Sequence, residues 1–471
     1  MGVGPHAIRK VGIHVAILAA GKGTRMKSAR PKVLHRVAGL PLIEHVLATA
    51  ASINPQTTTI VVGYQAAEVE DALLRHCGLT FVVQEPQLGT AHALLTTEPV
   101  LGHAHGTLIL LYGDVPLLSR ATLETLVERH RSRKAAATVV TAIVDDPRGY
   151  GRIVRSGEQI ARIVEEKDAS PAEREIREIN SGIYAFELAG LFDAVRSIAT
   201  ENAQREYYLT DLVAVYRKRG LNVETVTVPN ADEIRGVNSR SEMAALSRIA
   251  RDQKAAELMA AGVTIEDPAT AYIDRDVTIG ADTTIHPCVY LEGNTTIGGG
   301  CEIHSGVRIV NSTIGDRVTV FNHCVITDAR VASDAKVGPF AHLRNDADIR
   351  EKARVGNFVE LKKTVLGEGS KSMHLAYLGD ATIGERVNIG AGTITCNYDG
   401  EKKNQTVIED GAFIGSDSQL IAPVTIGTGA YVGSGTTIRE DVPSGALAVS
   451  AGKQRNIEGW VDNRRKNRKK G

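Results

Sequence analysis

The sequence predicts an α/β plus β protein: a parallel sheet with helices on both faces, then one long helix, then a parallel β-helix. Three observations carry this. Short apolar runs alternate with helical ones up to about residue 240, an unbroken helical pattern fills 240–261, and beyond Gly262 aliphatic residues recur every six positions. The 471 residues also exceed what one compact core usually supports, so more than one domain is expected.

In the first part, HVAILAA, TTTIVVG, TFVVQ, GTLILLYGD and AATVVTAIV read as buried strands. Between them PLIEHVLATAAS, AAEVEDALLRHC and SRATLETLVERHR carry apolar residues at helical spacing. This alternation predicts a mostly parallel sheet covered on both faces, with ligands in the crevice at the strands' carboxyl ends. RSEMAALSRIARDQKAAELMAA reads as a helical arm capped by Gly262. The six-residue phase then runs through Ile279, Ile285, Leu291, Ile297, Ile303 and Ile309, resumes at Ile314, Val320 and Ile326, and continues at Val337, Leu343, Ile349, Val355 and Leu361. A last run holds Ile414, Leu420, Ile426, Val432 and Ile438. One inward aliphatic per six residues and three sides per coil give an 18-residue turn, so residues 18 apart should stack about 4.7–4.9 Å apart. Glycine follows many of these aliphatics, where the chain must turn tightly and a side chain would obstruct. The predicted domains are 1–239, the helix 240–262, the β-helix 263–452 and a basic tail 453–471, which reads as a solvated end or an anion-binding strap.

Fifty-five Lys and Arg balance 55 Asp and Glu, so no global field favours nucleic acid or an anionic membrane. Aromatics at 4% with 46 glycines disfavour a helix bundle. The five cysteines show neither a C-x-x-C pair nor zinc-site histidine spacing, and are expected to be buried, reduced thiols in the cytosol. MGVGPHAIRKVGIHVAILAAG runs into a glycine loop without an A-x-A site, His6 stands where a myristoylation signal wants Ser or Thr, and no run nears the roughly 20 apolar residues of a membrane span. A cytoplasmic protein is expected.

The stretch LAAGKGTRMKSARPKVL, 18–34, carries the first chemistry. Gly21 and Gly23 bracket Lys22 after a strand, yet GKGT is not a Walker loop and Met26 stands where a dinucleotide fingerprint wants glycine. Arg25 and Lys32, the latter stiffened by Pro31, add cations to a backbone that phosphates can approach closely. Asp114 of LYGDVPL ends a strongly apolar strand, where it either caps the following helix or holds a cation. Gln84 is either a polar loop residue or a reader of a base edge.

LAAGKGTRM with PKVL resembles the signature of sugar nucleotidylyltransferases. With the hexapeptide half, residues 13–460 resemble the bacterial bifunctional N-acetylglucosamine-1-phosphate uridyltransferase/glucosamine-1-phosphate acetyltransferases. The resemblance implies a Rossmann-like nucleotidyltransferase domain in which Arg25 and Lys32 contact the triphosphate and Leu18, Ala19, Ala20 and Gly21 lie near the nucleotide. Gln84, Gly89 and Thr90 match the uracil-reading stretch. Asp114 and Asn238 match the ligands of Mg2+, and Gly151, Glu165 and Asn180 the sugar-binding positions. The implied reaction is in-line attack of a sugar 1-phosphate on the α-phosphorus of UTP, with pyrophosphate leaving.

In the second half, Arg344 and Lys362 are 18 apart, each after an inward leucine, and should stack on one outer edge. Two like charges roughly 5 Å apart repel by about 3 kcal/mol at an effective dielectric of 20, which either solvent or a bound anion relieves. His374 lies in GSKSMHLAYLGD, where the phase is interrupted. It is either structural or the base that deprotonates the amine of glucosamine 1-phosphate. GAGTITCNYDGEKKNQTVI breaks the repeat again and reads as an insertion able to reach a neighbouring subunit.

The resemblance implies that Arg344, Lys362, Tyr377 and Asn388 bind the sugar phosphate, that His374 is the base and that Glu360 orients its ring. It further implies that Ala391, Asn397, Tyr398, Ser416 and Ser434 line the acetyl-CoA site. Ala451 stands where relatives carry an Arg for the coenzyme phosphates, with Lys453 or Arg455 as substitutes. The implied assembly is a left-handed β-helix in a homotrimer with shared sites, and the implied product is UDP-N-acetylglucosamine, a precursor of peptidoglycan and lipopolysaccharide. A rival reading joins a pyrophosphorylase for some other sugar to a β-helix that only oligomerises and senses ligand. His374 and the NYDG insertion favour the enzyme, because a scaffold needs neither.

Overall fold

A computed structural model describes residues 12–450 together with 452, 454, 456–461 and 464. The expectations for the first eleven residues, for Ala451, Lys453 and Arg455, and for most of the basic tail lie outside the described residues. The chain folds as two compact units, one ending at Ala250 and the other beginning at Arg251.

The first unit is built on nine strands: β1 (Ile13–Leu18), β2 (Thr57–Val62), β3 (Leu79–Val83), β4 (Thr107–Tyr112), β5 (Ala137–Ile143), β6 (Arg152–Ser156), β7 (Gln159–Val164), β8 (Glu178–Glu187) and β9 (Val223–Val228). Their order is β9-β5-β8-β4-β1-β2-β3, with the β6–β7 hairpin attached to β8. β1 pairs in parallel with both β2 and β4, so the strand order reverses about β1, where a doubly wound sheet opens its crevice. β8 is antiparallel to both β4 and β5 and makes the sheet mixed. Val15, Ile17, Ile60, Val62 and Ile109 are fully buried in the core on one face, and Ala16, Val61, Leu108 and Leu110 in that on the other. Both-face burial explains why these strands read as continuous apolar runs.

The helix Arg240–Ala260 follows. It ends as expected, with Gly262 at φ 93° and the Val263 and Gly262 amides donating to Leu258 O and Met259 O at 3.0 and 3.1 Å, a Schellman closure. No helix among the described residues is long and apolar enough to cross a membrane.

From Thr264 onward the chain is a left-handed parallel β-helix whose three faces are sheets of eleven, ten and nine strands among the described residues. Each face turns one column of residues inward. Ile285, Ile303, Val320, Val337 and Val355 form part of one column, Leu291, Ile309, Ile326, Leu343 and Leu361 part of the next, and Ile297, Ile314, Val331, Ile349 and Leu366 part of the third. The 18-residue turn is only partly right. Thr284 pairs with Glu302 18 positions on, but Glu302 pairs with Thr319 after 17, because the side from Ile309 to Ile314 is one residue short.

Two further expectations are corrected. The repeat does not break at 361, because Leu366, Ser372, Leu378, Ile383, Ile389 and Thr395 carry the columns on. Ser372 and Thr395 are polar, which hides the phase. The glycines after the aliphatics do exclude a side chain, as expected, though mostly not through a left-handed backbone. A Cβ on Gly356 would lie 1.9 Å from Met373 O, and one on Gly367 2.1 Å from Gly384 O, so coil-to-coil approach is what excludes a side chain. Left-handed corners are borne largely by other residues, including His323, Phe340, Phe358 and Leu375. Of the cysteines, all free, Cys301 and Cys324 are buried, whereas Cys77 and Cys288 are exposed, contrary to expectation. Burial raises the Cys324 thiol to about 11.

Gly356→Ala is therefore expected to lower the thermal midpoint by the equivalent of about 1–3 kcal/mol of overpacking or more. Gly429→Ala, at φ 64° with open space around it, should cost only the roughly 1–2 kcal/mol of the backbone conformation. Paired melting curves check the order.

Candidate active sites in the two units

The first site forms where β1 and β4 end. Ala19 N donates to Val61 O and Gly113 N to Leu18 O, at 2.8 and 2.9 Å, so the segment Ala19–Gly21 leaves the sheet beside Asp114. Gly23 sits at φ 59°, and a Cβ on it would lie 2.7 Å from that of Lys32, so this glycine lets the Lys32 stem pack against the loop. Pro31 starts the short 3-10 turn Lys32–Leu34, whose Val33 is buried. Lys32 thereby reaches across the crevice. Its Nζ forms an ion pair with Asp114 and donates to Asn238 Oδ1 at 3.2 Å. Val237 N donates to Asp114 O at 3.0 Å and Asn238 N to Glu242 Oε2 at 2.7 Å, which ties the 237–242 segment to the site. The helix Arg120–Ser132 is capped by Ser119 and not by Asp114, which removes the capping alternative.

A cavity of about 310 Å³ opens here. Of the expected residues, Leu18, Ala19, Ala20, Gly21, Lys32, Gln84, Gly89, Thr90 and Asp114 line it, joined by Gln87, Tyr112 and Glu206, which sequence reasoning did not single out. Gln84 is buried, and its Nε2 donates to Gly89 O at 2.9 Å and lies 3.2 Å from His92 Nδ1. Gly89, at φ 111°, admits no side chain because a Cβ would meet Tyr207 O at 2.7 Å. Gln87 donates to Ala20 O at 2.5 Å and joins the two loops.

Gly151, Glu165 and Asn180 converge on one another but do not line that cavity. A Cβ on Gly151 would lie 3.5 Å from Glu165 Oε1 and 3.6 Å from Asn180 Cβ. Burial raises the Glu165 carboxyl above its ordinary range, against a hydrogen bond from Thr210 at 3.1 Å. Burial likewise pushes the Tyr112 phenol up, with Glu165 and Asp114 adding to the effect. Arg25 is exposed and lines no part of the cavity.

The second site lies on the β-helix. Arg344 and Lys362 occupy the same station of adjacent coils, as their spacing predicts. Each has a carboxylate. Arg344 Nε and Glu360 Oε1 are 2.7 Å apart, and Lys362 Nζ lies 3.3 Å from Asp380 Oδ2. Lys403, on the insertion, sits beside Lys362, and the neighbouring ammonium lowers its pKa. Asp380 also accepts from Asn397 Nδ2 at 2.5 Å, and that nitrogen is 3.5 Å from the Tyr377 hydroxyl. Lys362, Asp380, Asn397 and Tyr377 thus form one cluster. Sequence reasoning missed Asp380 and Lys403, the former because the polar inward residues around it conceal the six-residue phase.

Within one chain Glu360 pairs with Arg344 and does not hold the His374 ring. His374 is exposed, and its Nδ1 lies 2.8 Å from Asn357 Oδ1, in register on the preceding coil. Asn388 sits on the same sheet, paired with Lys371 and Phe413. Neither His374 nor Asn388 is drawn into the Lys362 cluster within one chain.

Ala391, Ser416 and Ser434 follow Gly390, Gly415 and Gly433. They form a column of small side chains up one corner, with Asp417 N bonded to Ala391 O at 2.7 Å and Gly435 N to Ser416 O at 2.8 Å. The insertion is confined to 397–405, where Tyr398 is exposed and donates to Gly400 O at 2.5 Å.

Comparison with known proteins bears on both halves. Residues 15–179 match the family described as MobA-like NTP transferase domain, residues 272–347 the GMPPB C-terminal domain, and residues 405–440 the bacterial transferase hexapeptide (six repeats). Proteins named bifunctional protein GlmU from Pelobacter propionicus and Geotalea uraniireducens are each 49% identical to this chain over 94% of it and 97% of their own length. One from Trichlorobacter lovleyi is 48% identical over 96% of this chain and 98% of its own. At that identity over nearly the full length of both partners, with a nucleotidyltransferase fold followed by hexapeptide coils, the chain belongs to the bifunctional GlmU family of N-acetylglucosamine-1-phosphate uridyltransferases and glucosamine-1-phosphate acetyltransferases.

Proposed function

We propose that the uridylyl transfer of the family runs in the β1–β4 crevice and the acetyl transfer on the β-helix around Lys362 and His374. The observation that carries the first half is the meeting of Lys32, Asp114 and Asn238 from three distant stretches of sequence at one point beside a nucleotide-sized cavity. Both Gln84 Nε2 contacts are internal, which leaves its Oε1 to accept from the uracil N3–H, while the Gly89 backbone allows the base to lie close. Glu165 and Asn180 hydrogen-bond the sugar, and Lys32 with Arg25 balances the phosphate charge. Alignment of two anions for in-line displacement is then the main work of the protein.

A Mg2+ ion fits this site on its donor chemistry. A carboxylate and an amide oxygen, both hard ligands, already converge on one positive charge, the Lys32 ammonium. Asp114 and Asn238 would hold the ion, which when bound neutralises charge on the phosphates. Asp114→Asn is expected to raise the Mg2+ concentration for half-maximal uridylyl transfer at least tenfold. A titration of rate against Mg2+ reads this, and an unchanged midpoint removes Asp114 from the role.

On the β-helix, Arg344, Lys362 and Lys403 supply positive charge for the phosphate of glucosamine 1-phosphate, with Tyr377, Asn388 and Asn397 around the sugar. His374, held through Nδ1 by Asn357, uses Nε2 to take a proton from the substrate amine as it attacks the acetyl carbonyl of acetyl-CoA. The small-residue column Ala391, Ser416 and Ser434 leaves room for the coenzyme alongside the coils, and Tyr398 joins from the insertion. His374 is bonded to Asn357 and not to the Lys362 cluster within one chain, which supports a site completed between subunits; we read the assembly as the homotrimer, and the location as the cytoplasm, that the family resemblance implies.

His374→Ala should lower acetyl transfer by about 10²–10⁴-fold with uridylyl transfer within twofold of wild type. Arg25→Ala should lower uridylyl transfer at least tenfold and leave acetyl transfer intact. Parallel assays of CoA thiol and pyrophosphate release check both. Loss of both activities in either folded variant contradicts independent sites. Asp380→Asn, which removes the negative charge facing Lys362 and Asn397, is expected to change KM for glucosamine 1-phosphate more than kcat.

A further inference from the structure

Outside both sites, the first coils of the β-helix carry a column of titratable side chains. Glu266, His286 and His304 each follow the inward aliphatic of their coil, Ile265, Ile285 and Ile303, and Glu302 precedes Ile303. The His286 and His304 rings stack with centroids 4.6 Å apart and 6° between planes. Glu266 Oε2 lies 3.0 Å from His286 Nδ1, which makes Nδ1 the donor and leaves the lone pair on Nε2. That Nε2 is buried and without a hydrogen-bond partner. Glu302 Oε1 faces it at 3.4 Å and lies 3.6 Å from His304 Nε2.

These separations are long for N–H···O bonds, which cluster at about 2.7–3.2 Å. They suit the spacing of metal ligands once the His304 ring turns out of its stack, since two parallel ring planes cannot both hold one ion along their in-plane lone pairs. With metal–nitrogen and metal–oxygen distances of about 2.0–2.1 Å, the ligand-to-ligand edge of a tetrahedron is about 3.3 Å. The three ligand atoms all lie within 4.8 Å of one another.

We propose that His286 Nε2, His304 Nε2 and a Glu302 carboxylate oxygen bind one zinc ion, with Glu266 as the carboxylate that fixes the His286 tautomer. A carboxylate on the far nitrogen of a ligating histidine is the usual orienting partner of such sites. Two imidazoles select zinc or a neighbouring transition metal over Mg2+, so this site and the one at Asp114 draw on different ions. Ligands and orienter come from three successive coils, the first of which has a paired neighbour on only one side. The ion fastens that end of the stack.

The test uses full-length protein stripped by chelator and titrated with ZnCl2 by calorimetry in millimolar Mg2+, which occupies the nucleotide site. One zinc per chain is expected, with affinity reduced at least 100-fold in His286→Gln and in His304→Gln, while both transferase activities persist as a check on folding. Cobalt loading should give the intense visible absorption of four-coordinate Co2+ in wild type and not in the variants. Should either histidine variant fail to fold, Glu302→Gln, at a half-exposed side chain, reads the same loss. Absence of zinc binding by wild type, or equal affinity in wild type and folded variants, overturns the proposal.

Discussion

Strands of two to four residues cannot stabilise themselves, so the β-helix depends on amide-to-carbonyl bonds from each coil to the next. Thr284 N to Cys301 O, Glu302 N to Val318 O and Lys371 N to Val387 O, each at 2.9 Å, are three of the series. To make them, neighbouring backbones must approach closely at the corners, which is why Gly356, Gly367, Gly390 and Gly415 have no space for a Cβ. The same bonds fix the register, and the register puts Arg344 over Lys362 and Asn357 over His374. Site geometry here is a by-product of coil stacking.

The nucleotidyltransferase unit reaches a comparable result by other means. Its crevice exists because β1 lies between β2 and β4, and the turns leaving β1 and β4 bring Gly21 and Asp114 to the same edge. In both units the cations proposed to receive phosphate are already paired: Lys32 with Asp114, Arg344 with Glu360, Lys362 with Asp380. At the Arg344–Glu360 pair, about one-third exposed, such pairing adds little to stability. Its consequence is preorganisation, since a long cationic side chain held in one rotamer loses less entropy when the substrate arrives.

Much of this is legible in the sequence because the two halves obey different periodicities. The buried strands of the sheet, the helix ending at Gly262 and the inward columns up to Leu361 follow from spacing alone. Of the nine residues expected around the nucleotide that line one cavity, Gly21, Lys32, Gln84 and Asp114 stand out by their own chemistry and the rest come from a resemblance, and the structure adds Gln87, Tyr112 and Glu206 through contacts that no spacing reveals. Legibility fails where the core turns polar. Ser372 and Thr395 hold inward stations behind His374 and Asn397, so the phase vanishes from the sequence beside the chemistry. Asp380 is lost with it, and Glu360, linked by resemblance to His374, has Arg344 as its partner. The five-residue sides show in the sequence only as places where the phase restarts, at Ile314 for one, because a shortened face still keeps its aliphatic inward.

The central claim is that each unit receives its own phosphorylated sugar at its own cluster of cations. A crystal structure of the protein grown with UDP-N-acetylglucosamine and glucosamine 1-phosphate together tests this most directly. The account predicts the uridine against Gln84 and Gly89 in the crevice, and the second phosphate between Arg344 and Lys362 on the coils. Both ligands in the crevice, or a sugar phosphate bound to the β-helix away from those two side chains, would contradict it.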